Sequence, residues 1–232
     1  MIGKCFTSEE SEDMERLLER EIMDGEEQVR AYAQADFSKE NQWFVDYFLE
    51  VFPDFREGLV LDLGCGPADI PIRLVQACPS LSLMAVDASS PMINLAQVAV
   101  DEAKVGDRVA VVCQRFQDVQ LQEPADAIIS NSLVHHVPNP LQFWYALKQL
   151  AKPGSPVLIM DLLRPETLDE AQAVVDQYAA NEPEQLRRDF YNSLLAAFTE
   201  DEVASHLAEL NLSRLLVDVP DDRHWVVTGH VY

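Results

Sequence analysis

Three groups of residues in this 232-residue chain have the types and spacing that chemistry needs. The first is LVLDLGCGPADI, residues 59–70, where an apolar run turns into Gly64-Cys65-Gly66-Pro67 between Asp62 and Asp69. Two glycines let the backbone take a tight path and leave room for a ligand to lie against bare main chain. The second is Asp87, which ends SLSLMAVD about twenty residues later and precedes Ser89-Ser90-Pro91. A carboxylate there can accept two hydroxyl hydrogen bonds from a ribose. The third is the pair His135-His136, directly after SNSLV. An imidazole can take a proton near neutral pH, so either ring could serve a hydroxyl or amine nucleophile as general base. The simpler role is that one histidine caps the following loop and the other packs.

The glycine turn narrows the ligand. A dinucleotide site would carry GxGxxG, but its third glycine position holds Asp69. A carboxylate beside a pyrophosphate is electrostatically unfavourable, which argues against NAD or FAD. A ligand bearing an amine and a sulfonium gains from acids nearby, and S-adenosylmethionine carries both. Met92 has the soft, apolar side chain that suits an adenine face.

These residues need a scaffold that brings strand ends together. From residue 59, strand-like and helix-like runs alternate. LVLDLG, SLSLMAVD, RVAVVCQ, DAIISNS and SPVLIMDLL read as strands; IPIRLVQACP, PMINLAQVAVDEAK and PLQFWYALKQLA read as helices. That succession predicts an α/β, doubly wound and mostly parallel sheet flanked by helices, with ligands beyond the carboxyl ends of the strands. Residues 165–210 read as helical, with capping boxes at Thr167-x-x-Glu170 and Thr199-x-x-Glu202. LSRLLVDVP and HWVVTGHVY read as a closing antiparallel hairpin around Asp221-Asp222. Before the alternation, residues 8–34 read as an amphipathic helix with a capping box at Thr7-Ser8-Glu9-Glu10. A second helix runs from Lys39 to Phe52 and is ended by Pro53. One domain is expected: an N-terminal helical lid over 1–55, a cofactor-binding core over 56–163, a helical insertion covering the substrate over 164–210, and the hairpin over 211–232.

VLDLGCGPAD, VDASSPMI and SNSLVHH, in this order, resemble the class I S-adenosylmethionine-dependent methyltransferases, a Rossmann-like family. The resemblance covers residues 40–163 and, beyond them, the last two strands. It implies a seven-stranded sheet whose last strand is antiparallel, S-adenosylmethionine as cofactor and S-adenosylhomocysteine as product. It also implies that Asp62, Gly64, Cys65 and Gly66 hold the methionine end, that Asp87 binds the ribose, and that Ala88 and Met92 flank the adenine. Asn131, Ser132 and His136 would lie at the reacting end. Members often carry an acid after the third strand that meets the adenine amino group. Here VVCQRFQDV offers Arg115 or Gln114 in that slot and Asp118 slightly later, so adenine recognition falls to Phe116 and Gln117.

Methyl transfer asks mainly for alignment and exclusion of water. The catalytic candidates are His135, His136, Arg164 and Tyr191, with Asp161, Tyr178, Arg187, Arg188, Asn192, Arg223 and His224 at neighbouring strand ends and in the insertion. An arginine there could hold a substrate carboxylate or phosphate, or simply pair with one of the many acids. Tyr32 could reach the cofactor, although core packing is its simpler role.

The net charge of −23 repels phosphate backbones and argues against nucleic acid or an anionic membrane as partner. No apolar run approaches the length of a bilayer span. MIGKCFTSEESEDMERL has no secretory h-region, so a cytoplasmic protein is expected. Cys5, Cys65, Cys78 and Cys113 form no zinc-binding spacing, and no metal is expected. Cys78 and Cys113 are expected to pack. The acceptor is expected to be a small molecule methylated at oxygen or nitrogen. Three other readings stay open: an enzyme that modifies the cofactor itself, a non-catalytic S-adenosylmethionine-binding module, and a nicotinamide-dependent oxidoreductase. A peptide or protein acceptor and the oligomeric state are left open as well.

Overall fold

The computed structural model describes residues 14–19 and 22–232. Two helices, α1 (Glu26–Gln34) and α2 (Ser38–Val51), precede the alternating core. That core runs β1 (Glu57–Leu63), α3 (Asp69–Ala77), β2 (Ser80–Asp87), α4 (Ser90–Ala103), β3 (Val109–Cys113), β4 (Ala127–Asn131), α5 (Pro140–Leu150) and β5 (Pro156–Leu162). Three helices follow, α6 (Leu168–Tyr178), α7 (Glu184–Ala196) and α8 (Glu200–Glu209), before the hairpin of β6 (Leu215–Asp218) and β7 (His224–His230). Among the described residues, no helix is long and apolar enough to cross a membrane.

The seven strands lie in the order β3-β2-β1-β4-β5-β7-β6. The first five are parallel, and β7 runs antiparallel to both β5 and β6. Alternate residues of β1 feed opposite layers: Leu61 and Leu63 pack with Phe143, Trp144 and Leu147 of α5, whereas Val60 packs with Phe44 and Phe48 of α2 and Leu74 of α3. Every residue of β5 is buried, as expected for a strand covered on both faces. The chain leaves β1 toward β2 and β3, then returns to its other side as β4. The carboxyl ends of β1 and β4 thus flank the reversal in strand order where such sheets leave a crevice.

Local signals set the elements around that crevice. Ser89 accepts from Met92 N at the start of α4, with Pro91 in the first turn. Thr199 and Glu202 form the complete capping box expected for α8. At α6, Thr167 caps as expected, but Glu170 accepts from Glu166 N instead of closing the box.

The N-terminal expectation is corrected. Among the described residues of this stretch, helix is confined to Glu26–Gln34, and residues 14–19 form a strap without helix or strand. The Thr7-Ser8-Glu9-Glu10 box lies outside the described residues. Non-local bonds hold the strap. Leu17 N donates to Leu195 O at 2.9 Å, and the Arg16 guanidinium donates to the carbonyls of Ala196 (2.5 Å), His135 (2.7 Å) and Val137 (3.1 Å) while lying over the Phe198 ring at 3.9 Å. Together with a longer contact to Pro138 O (3.5 Å), these carbonyls and the aromatic face satisfy this guanidinium better than solvent on a helix surface would. Cys78 is buried as expected, but Cys113 is exposed because it ends the edge strand β3; Cys5 lies outside the described residues.

Candidate functional site

Two adjoining cavities, of about 340 and 230 Å³, open at the carboxyl ends of β1, β2 and β4. They share Tyr32, Gly64, Gly66 and Asn131 as common wall. Gly64 adopts φ 78° and Gly66 φ 50°, so both need left-handed backbone. A Cβ on Gly64 would stand 2.9 Å from the Leu133 side chain, so no other residue fits there.

Asp87 joins this turn to the next strand. Its carboxylate accepts from Gly66 N (2.9 Å) and from Ser89 N (2.8 Å), fixing loop and acid as one unit. Burial still raises its pKa. Burial also pushes Asp62 up to about 8, with the nearby Asp87 charge adding to the effect. Two carboxylates held out of water beside each other are poised to receive a cationic group. Asn131 Oδ1 is buried and has no hydrogen-bond partner among the described residues, although its side chain forms part of the cavity wall. Burial pushes the Tyr32 hydroxyl up to about 12, with Asp87, Asp69 and Asp62 contributing. Tyr32 lines both cavities.

Asp87, Ala88, Met92, Phe116, Gln117, Asn131 and Ser132 line the larger cavity, as do Gln114 and Arg115. Asp62 and Cys65 border only the smaller one. The region after β3 forms a short 3-10 turn, Phe116–Asp118, whose Phe116 ring is buried against Phe143.

The far end of the larger cavity is built around a buried carboxylate. Asp161, in the otherwise apolar β5, is fully buried and accepts from Val134 N (2.5 Å), His135 N (3.2 Å), Leu162 N (2.7 Å) and His135 Nδ1 (2.5 Å). Burial raises its pKa, but His135 and these donors outweigh that, so its net shift is downward. His135 is raised: burial disfavours its charged form, and Asp161 and Glu19 overcome the penalty. With Nδ1 bound to Asp161, the ring directs Nε2 away from the sheet, 3.3 Å from Glu19 Oε1. His136 Nδ1 lies 3.1 Å from the same oxygen, and Ser193 Oγ donates to it at 3.1 Å. Burial raises the pKa of Glu19, partly offset by His135 and Ser193. The His135 and His136 rings lie 4.1 Å apart, tilted by 37°.

Glu19 is absent from the sequence expectations, where it falls within the amphipathic helix expected over residues 8–34. No local pattern signals that the strap crosses to the histidines. Asp161 did carry a signal, a single acid inside PVLIMDLL.

The structure does not bring Arg164 or Tyr191 to the cavity wall. Arg164 is buried in a bidentate pair with Glu202 (2.8 and 2.9 Å) and donates to Ala197 O, so it secures the start of α8. Tyr191 packs beside Leu162, Val175 and Leu194. The α7 face that does reach the cavity carries Leu186, Asp189, Phe190 and Ser193, one stripe around the helix from the residues chosen by sequence. Arg187 pairs with Asp176, and Arg188 bonds Gln185. Arg223, stacked 3.6 Å over Tyr178, and His224 line the cavity from the start of β7.

Comparison with known proteins gives this arrangement a family context. Residues 60–154 match a family described as a methyltransferase domain. A malonyl-acyl-carrier protein O-methyltransferase from Priestia megaterium is 35% identical over 77 residues, which are 33% of this chain and 27% of that protein. A release factor glutamine methyltransferase from Thermosynechococcus vestitus is 37% identical over 78 residues, again 33% of this chain and 27% of its own length. These curated relatives are thus matched over about a quarter of their length. The plantazolicin methyltransferase BpumL, solved in complex with a pentazolic desmethyl analog and S-adenosylhomocysteine, superposes with a TM-score of 0.69 at 13% identity, covering 89% of this chain and 92% of that one. A S-adenosylmethionine-dependent methyltransferase from Aquifex aeolicus gives 0.63 at 20% identity, covering 88% and 97%. The chain therefore has the class I methyltransferase fold, with the methyltransferase domain matched over residues 60–154.

Proposed function

We propose that this chain, which carries a methyltransferase domain on the class I fold, transfers a methyl group from S-adenosylmethionine to an oxygen or nitrogen of a small-molecule acceptor. The observation that carries the reading is the unit of Gly64, Gly66 and Asp87, closed by the Gly66 N–H bond to Asp87 at the mouth of a 340 Å³ cavity whose other end holds His135. The residues present fit the cofactor. Asp62 and the orphaned Asn131 Oδ1 are acceptors for an ammonium. Asp87 retains acceptor capacity for two ribose hydroxyls, and Met92 with Phe116 gives the adenine an apolar contact. Bound there, the cofactor supplies an electrophilic methyl group on a sulfonium.

The chain's own contribution is alignment and exclusion of water. Met23 ahead of α1, Tyr32 of α1, and Leu186 and Phe190 of α7 line the cavity above the strand ends. The acceptor enters at the end bounded by the two histidines and Glu19 and gives up its proton there. In the metal-free chain, His135 Nε2 is the proton acceptor that this end offers, oriented by Asp161.

Titration calorimetry with S-adenosylhomocysteine, with NAD as comparator, tests the reading. Micromolar binding of the first and none of the second is expected. Folded protein that binds neither would refute it. Mass spectrometry of products with a panel of hydroxyl and amine acceptors then separates methyl transfer from modification of the cofactor and from silent binding.

A further inference from the structure

We propose that Glu19, His135 and His136 hold a zinc-class divalent cation at the acceptor end of the cavity, with its remaining position open to the acceptor's oxygen. Two imidazole nitrogens and one carboxylate oxygen form a donor set that suits zinc and its borderline neighbours. Three protein ligands with a vacant fourth position are the pattern of catalytic sites, not of closed structural ones.

The spacing supports it. Ligands at 2.0–2.1 Å around a tetrahedral ion stand about 3.3 Å from one another. Glu19 Oε1 already lies 3.3 Å from His135 Nε2 and 3.1 Å from His136 Nδ1, and all three donor atoms fall within 4.8 Å of one another. The supporting contacts of a metal site are also present. Asp161 accepts the Nδ1–H of His135, which fixes the tautomer and leaves the Nε2 lone pair facing Glu19. Ser193 holds the Glu19 carboxylate from the side. Arg16, three residues before Glu19, pins the strap to the carbonyls of His135, Val137, Pro138 and Ala196, so the carboxylate is delivered by an anchored backbone. Both histidines line the cavity, so the open position faces the space in which an acceptor must lie.

This inference rests on the methyl-transfer reading and narrows its substrate class. Nε2 of His135 cannot both ligate a cation and accept a proton, so the loaded protein takes the proton from a cation-bound hydroxyl instead of using an imidazole base. A coordinated amine has no lone pair left with which to attack, whereas a coordinated oxyanion keeps lone pairs. The acceptor is therefore a hydroxyl compound. Its proton passes to solvent, its oxygen takes the methyl carbon, and the electron pair of the breaking carbon–sulfur bond stays on sulfur.

The test uses the untagged 232-residue chain, stripped with a chelator and then titrated with Zn²⁺ against a chromogenic competitor, alongside calorimetry with S-adenosylhomocysteine. One equivalent of zinc bound at micromolar affinity or tighter is expected. Glu19→Gln and His136→Ala should each weaken zinc binding at least tenfold. Glu19 lines neither cavity, so Glu19→Gln should also leave S-adenosylhomocysteine binding intact, which reports that it folds, and circular dichroism reports the fold of His136→Ala. Co²⁺ loading should give visible d–d bands that both variants change. Protein that binds S-adenosylhomocysteine but takes up no stoichiometric zinc, or binds zinc equally in both variants, overturns the metal site and leaves methyl transfer standing. Zinc binding without S-adenosylhomocysteine binding keeps the site and overturns the methyl-transfer reading. A loaded enzyme that methylates amines but no hydroxyl overturns the assigned substrate class.

Discussion

The two ends of the cavity are built in opposite ways. At the cofactor end, Gly64, Gly66, Asp87 and Met92 come from one β-loop-α-β-loop-α stretch, joined by bonds such as that from Gly66 N to the Asp87 carboxylate. At the acceptor end, Glu19, His135, Asp161 and Ser193 come from the strap, the loop after β4, strand β5 and helix α7, as far as 174 residues apart in sequence. A site assembled within one supersecondary unit keeps its spacing wherever that unit occurs. A site assembled from remote segments depends on how this particular chain docks them. The first kind serves a constant ligand, and the second kind sets what is specific to one protein.

The largest effect should come from the cofactor end. Asp87→Ala removes the acceptor proposed for two ribose hydroxyls and releases the Gly66 and Ser89 N–H groups. Charge-assisted hydrogen bonds of this kind contribute about 1.5–3 kcal/mol each, so S-adenosylhomocysteine affinity should fall by about a hundredfold or more by calorimetry. Near-normal affinity would break the comparison, because the unit would not be what binds.

Asp161→Asn tests the other end. It should reduce methyl transfer by about 10–100-fold and leave S-adenosylhomocysteine affinity within about twofold, because Asp161 orients His135 but does not line either cavity. Equal losses in binding and turnover would mean that the two ends are mechanically one.

This contrast explains what was legible in the sequence. The seven strands, their order of appearance and the glycine turn could be read because hydrophobic alternation and turn chemistry are local. The α4 cap at Ser89 and the α8 box at Thr199 were visible for the same reason. The strap was not, because Met14 to Glu19 has the composition of an exposed helix, and what holds it without helix or strand is a set of remote bonds, from Leu17 N to Leu195 O and from Arg16 to the carbonyls of His135, Val137 and Ala196. The cavity-facing stripe of α7 was missed because both Arg187–Tyr191 and Leu186–Ser193 have helical spacing. Which stripe turns inward is decided by packing against α6 and α1, not by the helix itself.

Arg164 sharpens the distinction from another side. If it secures α8, Arg164→Ala should lower stability by about 2 kcal/mol in urea unfolding, since it leaves Glu202 half-buried without its partner. Turnover at a temperature where the variant is folded should be unchanged. A large drop in kcat with intact stability would return Arg164 to the catalytic set and extend the acceptor end toward α8.

The smallest expected effect is a pH dependence confined to the cofactor end. Burial holds Asp62 protonated up to about pH 8 in the free protein, well above the ordinary carboxylate range. An ammonium on the ligand favours the ionised form, so binding below pH 8 must expel a proton. Affinity for S-adenosylhomocysteine should therefore rise with pH by at most tenfold per unit and level off above about pH 8, and calorimetry at pH 7 in buffers of different ionisation enthalpy should report release of up to one proton. The sign for folding is opposite. A carboxyl whose folded pKa is raised stabilises the free protein fully below its ordinary range, and that contribution is lost as pH rises through about 8. The ligand-free chain should thus melt at progressively lower temperature across that window, while the thermal shift produced by S-adenosylhomocysteine grows. Asp62→Asn should abolish both trends and lower affinity, because the amide cannot ionise to meet the ammonium. If the trends persist in Asp62→Asn, the titrating group lies elsewhere, and the constant end of the cavity would no longer be the one that senses the charge of its ligand.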